Sequence, residues 1–273
     1  MIHIFSICAV FLLGFAGIGI AAPMAGDTMT DPELGMEFVW VPKGCVKMGY
    51  VQADSTGKLS DSSGQNGEIV IEYNILDELL EGETCMKKGF WMGRFEVTQG
   101  QYRKLTGSNP SAFKKGDNYP VENVRWIDVQ AFILNINKQT GKNFRLPSEV
   151  EWEYAARSGG KEQKYGAEGT VDKAGWYAKN SSNSSHPVGQ KQANALGLHD
   201  MSGNVWEWMQ DCWNANPEGA PEDGSARLSG VCSSRVLRGG SWYDVADFLT
   251  TASRLWNETD KADNNSGFRL VHD

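Results

Sequence analysis

No part of this 273-residue chain gathers lysine and arginine into a stripe. Acids outnumber bases 34 to 26, giving a net charge of −8. A binder of the nucleic-acid backbone needs clustered cations to release counterions, so nucleic acid is excluded as a partner. The acidity reads instead as a self-repelling, soluble surface. Histidine is scarce: only His3, His186, His199 and His272 occur, and two of these lie at the chain ends. They do not assemble a facial triad or a three-histidine iron site. A GxSxG elbow and a P-loop are both missing. The cysteines have neither the CxxC spacing nor the neighbouring histidines of a metal site.

What is present suits a packed core, with 40% hydrophobic and 22% charged residues. Ten tryptophans beside 31 glycines point to aromatic packing among turns and irregular loops rather than a helical bundle. Residues 4–22 are apolar throughout and run into small residues, which reads as a secretory signal cleaved near Ala21–Ala25. An uncleaved anchor is the alternative, because the run is long enough to span a bilayer and no Lys or Arg precedes it. The expected location is periplasmic or secreted, with no membrane contact once the signal is removed. Export leaves Cys45, Cys85, Cys212 and Cys232, an even count that implies two disulfides. Three pairings are open. The local choice, Cys45–Cys85 with Cys212–Cys232, closes loops of about 40 and 20 residues, each worth roughly 3–4 kcal/mol.

Along the chain, 26–35 reads as a short mature tail and 36–51 as strand, turn, strand. A polar loop over 52–68 leads to an extended segment near 68–74, the acidic LDELLEGE, and strand character again at 89–97. Two helices stand out. In WIDVQAFILNINKQTG, Val129, Phe132, Ile133 and Ile136 recur at helical spacing and Gly141 ends the run. In RLPSEVEWEYAARSGG, Ser148 and Glu151 form a capping box before a stop at Gly159–Gly160. Glu149, Glu151 and Glu153 are read as structural acids. Glu96 and Glu122 are expected to pair with Arg145 and Arg157. With no repeat and no linker, residues 36–273 read as one α+β domain after a signal at 1–25.

Four stretches, GFWMGRFEVTQGQY (89–102), PVENVRWIDVQAFI (120–133), FRLPSEVEWEYAAR (144–157) and GLHDMSGNVWEW (197–208), resemble the formylglycine-generating enzyme, or sulfatase-modifying factor, family. RVLRGGSW (235–242) and NNSGFRLV (264–271) complete the set in family order, so the resemblance spans about 36–272. It implies a variant of the C-type-lectin-like fold with two helices, short sheets and much irregular loop. It also implies a structural calcium site at Asp200, the carbonyls of Gly203 and Val205, and Glu207, with Asp200 in place of the usual asparagine. Irregular backbone with carboxylates and carbonyls is what calcium requires.

The family's oxidases hold copper between two cysteines shortly after the GGS turn. Here the matching positions are Asp244 and Leu249, neither of which replaces a thiolate for Cu(I). Copper is therefore not expected, and no residue is assigned a catalytic role. The related sulfoxide synthases, whose iron is held by histidines in an added domain, are not expected either. The run 243–266 reads instead as a surface. Tyr243, Asp244, Asp247, Phe248, Trp256 and Asn257 are the amphipathic and adaptable types that suit recognition. The reading is an exported, non-catalytic binding or accessory module for a protein, peptide or glycan. The alternative is a formylglycine-generating-type oxidase or periplasmic tailoring enzyme acting on protein cysteine or a small molecule.

Overall fold

In the computed structural model, residues 22–49, 83–215 and 219–273 are described. The chain opens with β1 (Thr28–Thr30), β2 (Glu37–Val41) and β3 (Gly44–Val46), and resumes with β4 (Thr84–Met86) and β5 (Phe90–Gly93). Then come α1 (Gln99–Thr106), α2 (Trp126–Thr140), β6 (Phe144–Arg145), α3 (Glu149–Ala156) and the single turn α4 (Val171–Ala174). The last third holds β7 (Trp206–Trp213), β8 (Val231–Arg238), a 3₁₀ turn at Ala246–Leu249, β9 (Arg254–Glu258), β10 (Ser266–Gly267) and β11 (Val271–His272). One sheet has the order β1-β2-β5-β11-β6, a second β10-β7-β8-β9, and β3 pairs with β4 alone. Of these pairings only β10 with β7 is parallel. Among the described residues no helix is long and apolar enough to cross a membrane.

Period-two alternation sends successive apolar residues of β2, β7 and β8 into two separate cores. Phe38 of β2, Trp208 of β7 and Leu237 of β8 enter one core with Phe132, Ile136 and Phe268. Their neighbours Val39, Met209 and Val236 enter a second core with Met92, Trp152 and Val271. Successive side chains on a strand point to opposite faces, so at these residues the strands are buried on both.

Both expected helices form, and each is ended by its own chemistry. α2 buries Val129, Phe132, Ile133 and Ile136 and stops at Gly141, whose φ of 68° favours glycine. The capping box of α3 is complete, with Ser148 Oγ accepting from Glu151 N and the Glu151 carboxylate accepting from Ser148 N. Among the elements that were not anticipated are α1 and β1. α1 carries its own capping box, Thr98 with Gln101, but buries only Gln99 and Tyr102, so it leaves no apolar period in the sequence. The stretch 26–35, expected as a tail, contributes β1, which pairs residue by residue with β2. The readings of 52–68, 68–74, LDELLEGE and the segment 4–22 fall outside the described residues, apart from Ala22 and Glu83 at their edges.

The disulfides are Cys45–Cys85 and Cys212–Cys232, the local pairing. The first joins directly opposed residues of β3 and β4, and the second joins β7 to β8. The anticipated pairing of Glu96 and Glu122 with Arg145 and Arg157 does not occur. Arg145 binds Glu151 and Asp273, and Arg157 binds Glu153. Those acids are close in sequence or across the adjoining strand, and they reach the guanidinium groups first. Of the three helix acids, Glu153 also pairs with Arg238, and Glu149 with Arg254.

Candidate functional site

Two adjoining constructions occupy the centre of the C-terminal half. The first is a buried acid cluster beneath the loop before β7. Asp200, Gly203 and Asn204 all have positive φ (57°, 82° and 65°), which folds the backbone back on itself. Gly203 is required there, since a Cβ would lie 2.2 Å from the Trp176 carbonyl oxygen. Asn204 donates to Glu96 Oε2 (2.6 Å), and Val205 N donates to Glu96 Oε1 (3.1 Å). Glu207 accepts from Arg269 Nε (2.7 Å), Arg269 Nη2 (2.6 Å) and Trp152 Nε1 (2.9 Å). Asp200 Oδ2 accepts from Gly189 N (2.7 Å), while its buried Oδ1 has no partner among the described residues.

Three carboxylates thus share one guanidinium. Burial pushes the Asp200 carboxyl up to about 6. Glu96 is held well above the usual carboxylate range by burial and by the fields of Asp200 and Glu207. An orphaned buried oxygen and uncompensated negative charge fit a hard divalent cation. Glu207 already serves Arg269 and Trp152, so it would be shared between them and an ion.

The second construction follows Gly239 and Gly240. Gly240 has φ of 76°, and a Cβ there would sit 2.7 Å from the Phe248 carbonyl oxygen. The double glycine therefore closes a tight turn that brings the 3₁₀ segment back onto the sheet. Inside it, Asp244 Oδ2 accepts from Trp206 Nε1 (2.9 Å) and from the Ser241 hydroxyl. Burial raises its carboxyl, and those two hydrogen bonds partly offset the rise. Leu249 is fully buried, packed against the backbone at Gly203 and Gly240.

Outside this turn lies an open groove of about 440 Å³, lined by Trp242, Tyr243, Trp256, Asn257, Asp263 and Asn264 among others. Of the six expected surface residues, the structure brings Tyr243, Trp256 and Asn257 together here. Tyr243 and Trp256 are 67% and 46% exposed, against 6% for Trp242. Asp247 is exposed on the 3₁₀ turn but does not line the groove. Asp244 and Phe248 point inward, Asp244 to the Trp206 indole and Phe248 against the first core. Trp242, Asp263 and Asn264 were missed. Trp242 ends the RVLRGGSW motif, and Asp263 and Asn264 lie within the 243–266 run read as a surface, but none of the three was singled out.

A family profile described as "Sulfatase-modifying factor enzyme 1-like domain" matches residues 24–273. The chain belongs to this family. It is 30% identical to the formylglycine-generating enzyme of Thermomonospora curvata, with 80% of this chain and 76% of that protein covered. It is 32% identical to the inactive C-alpha-formylglycine-generating enzyme 2 of Bos taurus, covering 74% of this chain and 65% of that one. Chaperone protein LppX of Paenibacillus barcinonensis is 33% identical, covering 56% and 69%. Among solved structures, PvdO from Pseudomonas aeruginosa superposes with a TM-score of 0.74 at 28% identity, covering 92% of this chain and all of that one. Treponema denticola variable protein 1 gives 0.72 at 25% identity, covering 90% and 98%.

The family therefore includes both enzymes and a member named as inactive. At Asp244 and Leu249, the positions expected from the sequence resemblance to match the oxidases' copper ligands, the residues present do not fit the metal. Asp244 offers a hard oxygen already used by Trp206 and Ser241, and Leu249 offers none. Cys45, Cys85, Cys212 and Cys232 are all tied in disulfides.

Proposed function

We propose that this chain is an exported, non-catalytic member of the family, a binding or accessory module for a periplasmic or extracellular protein, peptide or glycan. The observation that carries the reading is the fate of the two copper positions: one is a carboxylate hydrogen-bonded to an indole and a hydroxyl, the other a buried leucine. Two disulfides and the apolar segment 4–22 support export. The groove beside Tyr243, Trp256 and Asn257 is the binding face in this reading. Calcium belongs to the same proposal, held by Asp200 and Glu207 with the carbonyls of Gly203 and Val205. The ion would supply charge neutralisation and lock the loop before β7; no chemistry on a ligand is assigned to it.

The test combines thiol counting with an assay for turnover. Alkylation of the denatured secreted protein should add nothing before reduction and four adducts after it, one per mature cysteine. Incubation with Cu(I), oxygen and a cysteine-containing sulfatase peptide should leave the peptide mass unchanged. Conversion of the peptide cysteine to an aldehyde, or two free thiols before reduction, would sink the proposal in favour of an oxidase.

A further inference from the structure

The groove has a chemical bias that narrows its ligand. None of its lining residues is lysine or arginine, and its one charged member is Asp263. That acid is held in place rather than roving. Its carbonyl oxygen accepts from Asn123 N (2.9 Å) and Ser266 N (3.1 Å), and its Oδ2 accepts from Asn257 Nδ2 (2.5 Å). Oδ1 makes no hydrogen bond to another described residue, and the side chain is exposed. The segment from Glu258 to Asn265 that frames the groove carries three acids, Glu258, Asp260 and Asp263, against Lys261, which sits 3.9 Å from Glu258.

The aromatic side is equally ordered. Trp242 is fixed from three directions: its indole N–H donates to Asn264 O (3.2 Å), Phe113 meets its ring edge-on at 5.2 Å, and its carbonyl accepts from Ser181 Oγ (2.8 Å). Tyr243 stands at 73° to it with ring centroids 5.5 Å apart, so the two rings form a corner. Trp256 supplies a further exposed ring. Electron-rich ring faces near a fixed carboxylate attract a cation by quadrupole and charge together, and such a site repels anions.

We propose that this groove takes an organic cation, a guanidinium or alkylammonium group such as an arginine or lysine side chain, seated in the Trp242–Tyr243 corner against Asp263. The proposal rests on the groove being the binding face, and it adds the ligand's charge. The experiment is calorimetric titration of the folded protein with four tripeptides, Gly-Arg-Gly, Gly-Lys-Gly, Gly-Gln-Gly and Gly-Glu-Gly, and with butylguanidinium and methyl glucoside. Indole N–H shifts in NMR spectra report whether the groove is the site.

The basic tripeptides should bind at least tenfold more tightly than Gly-Gln-Gly, less tightly as salt is raised, and shift the Trp242 or Trp256 signals. Butylguanidinium binding as well as Gly-Arg-Gly would assign a free small cation; tighter binding of the peptide would assign a chain. Asp263→Asn keeps the shape of the side chain and should weaken the basic tripeptides about fivefold, as should Tyr243→Ala, which removes a mostly exposed ring. Equal binding of Gly-Gln-Gly, or binding of methyl glucoside with groove shifts and no binding of Gly-Arg-Gly, overturns the cation while leaving the groove as a site. Silence of every probe at 10 mM overturns the cation as well. The thiol and turnover tests then judge the non-catalytic reading separately.

Discussion

Asp244 shows how much one side chain can change the meaning of a turn. From the sequence it belonged with its polar neighbours on a surface, since residues flanking it in both directions are exposed or adaptable. In the fold its carboxylate faces the opposite way, toward the Trp206 indole and the Ser241 hydroxyl. The position therefore serves packing, and its substitution tests that. Asp244→Ala removes the acceptor of two donors and should destabilise the protein by about 1–3 kcal/mol in urea unfolding. A residue that only decorated a surface would change stability by less than about 0.5 kcal/mol. The same inward turn accounts for Phe248, whose aromatic ring suited either role and was drawn against the core. Tyr243, Trp256 and Asn257 were legible as groove residues by type. Asp263 was not, because its importance comes in part from the Asn123 amide that fixes its carbonyl, and this meets it only across the fold.

Among the elements, α2 and α3 were readable because each carries a local device: a four-residue apolar period, or a Ser-x-x-Glu box. The strands β6, β10 and β11 have two residues each, too short for any period; the longer β7 and β5 pair with β10 and β11, and β6 is held in turn by β11. α3 is also held from outside by β7. Asp211 Oδ2 accepts from Glu149 N (2.8 Å) at the helix start and Oδ1 accepts from Arg227 N (2.8 Å). Burial, with Glu149 close by, pushes this carboxyl up to about 7, well above the usual carboxylate range. Its unfolded form loses its proton first as pH rises, so the unfolded state gains relative to the native one between about pH 4 and 7. This group's contribution to stability thus declines across that window. Asp211→Asn, which cannot ionise, should flatten the decline seen in thermal melts between pH 4 and 7. An unchanged pH profile would show that Asp211 titrates normally.

For the whole molecule, the fold class and the family resemblance were legible because six ordered stretches spread over residues 89–271. The placement of 26–35 was not, since three residues of edge strand have no pattern of their own. The proposed calcium would act at this scale, because the acid cluster joins elements far apart in the chain. Arg269 alone reaches Glu207, the Gly93 carbonyl and the His199 carbonyl. Adding millimolar calcium to chelator-treated protein at pH 7 should raise the melting temperature by several degrees, as mass action on the native state requires. Asp200→Ala should abolish that rise. No shift in the native protein would remove calcium from the proposal.

The tryptophans of this fold range from buried through half-buried (Trp40, Trp91, Trp126, Trp176 and Trp213) to exposed, and the two extremes differ most. Trp152, Trp206 and Trp208 are fully buried with their indole N–H groups bonded to Glu207, Asp244 and the Val124 carbonyl, whereas Trp256 stands nearly half in solvent at the groove. The protein therefore carries its own optical contrast: a water-borne quencher such as acrylamide reaches the groove indole long before the interior ones. Occupancy of the groove becomes visible as a loss of the most readily quenched fraction of the fluorescence, without any label attached to protein or ligand.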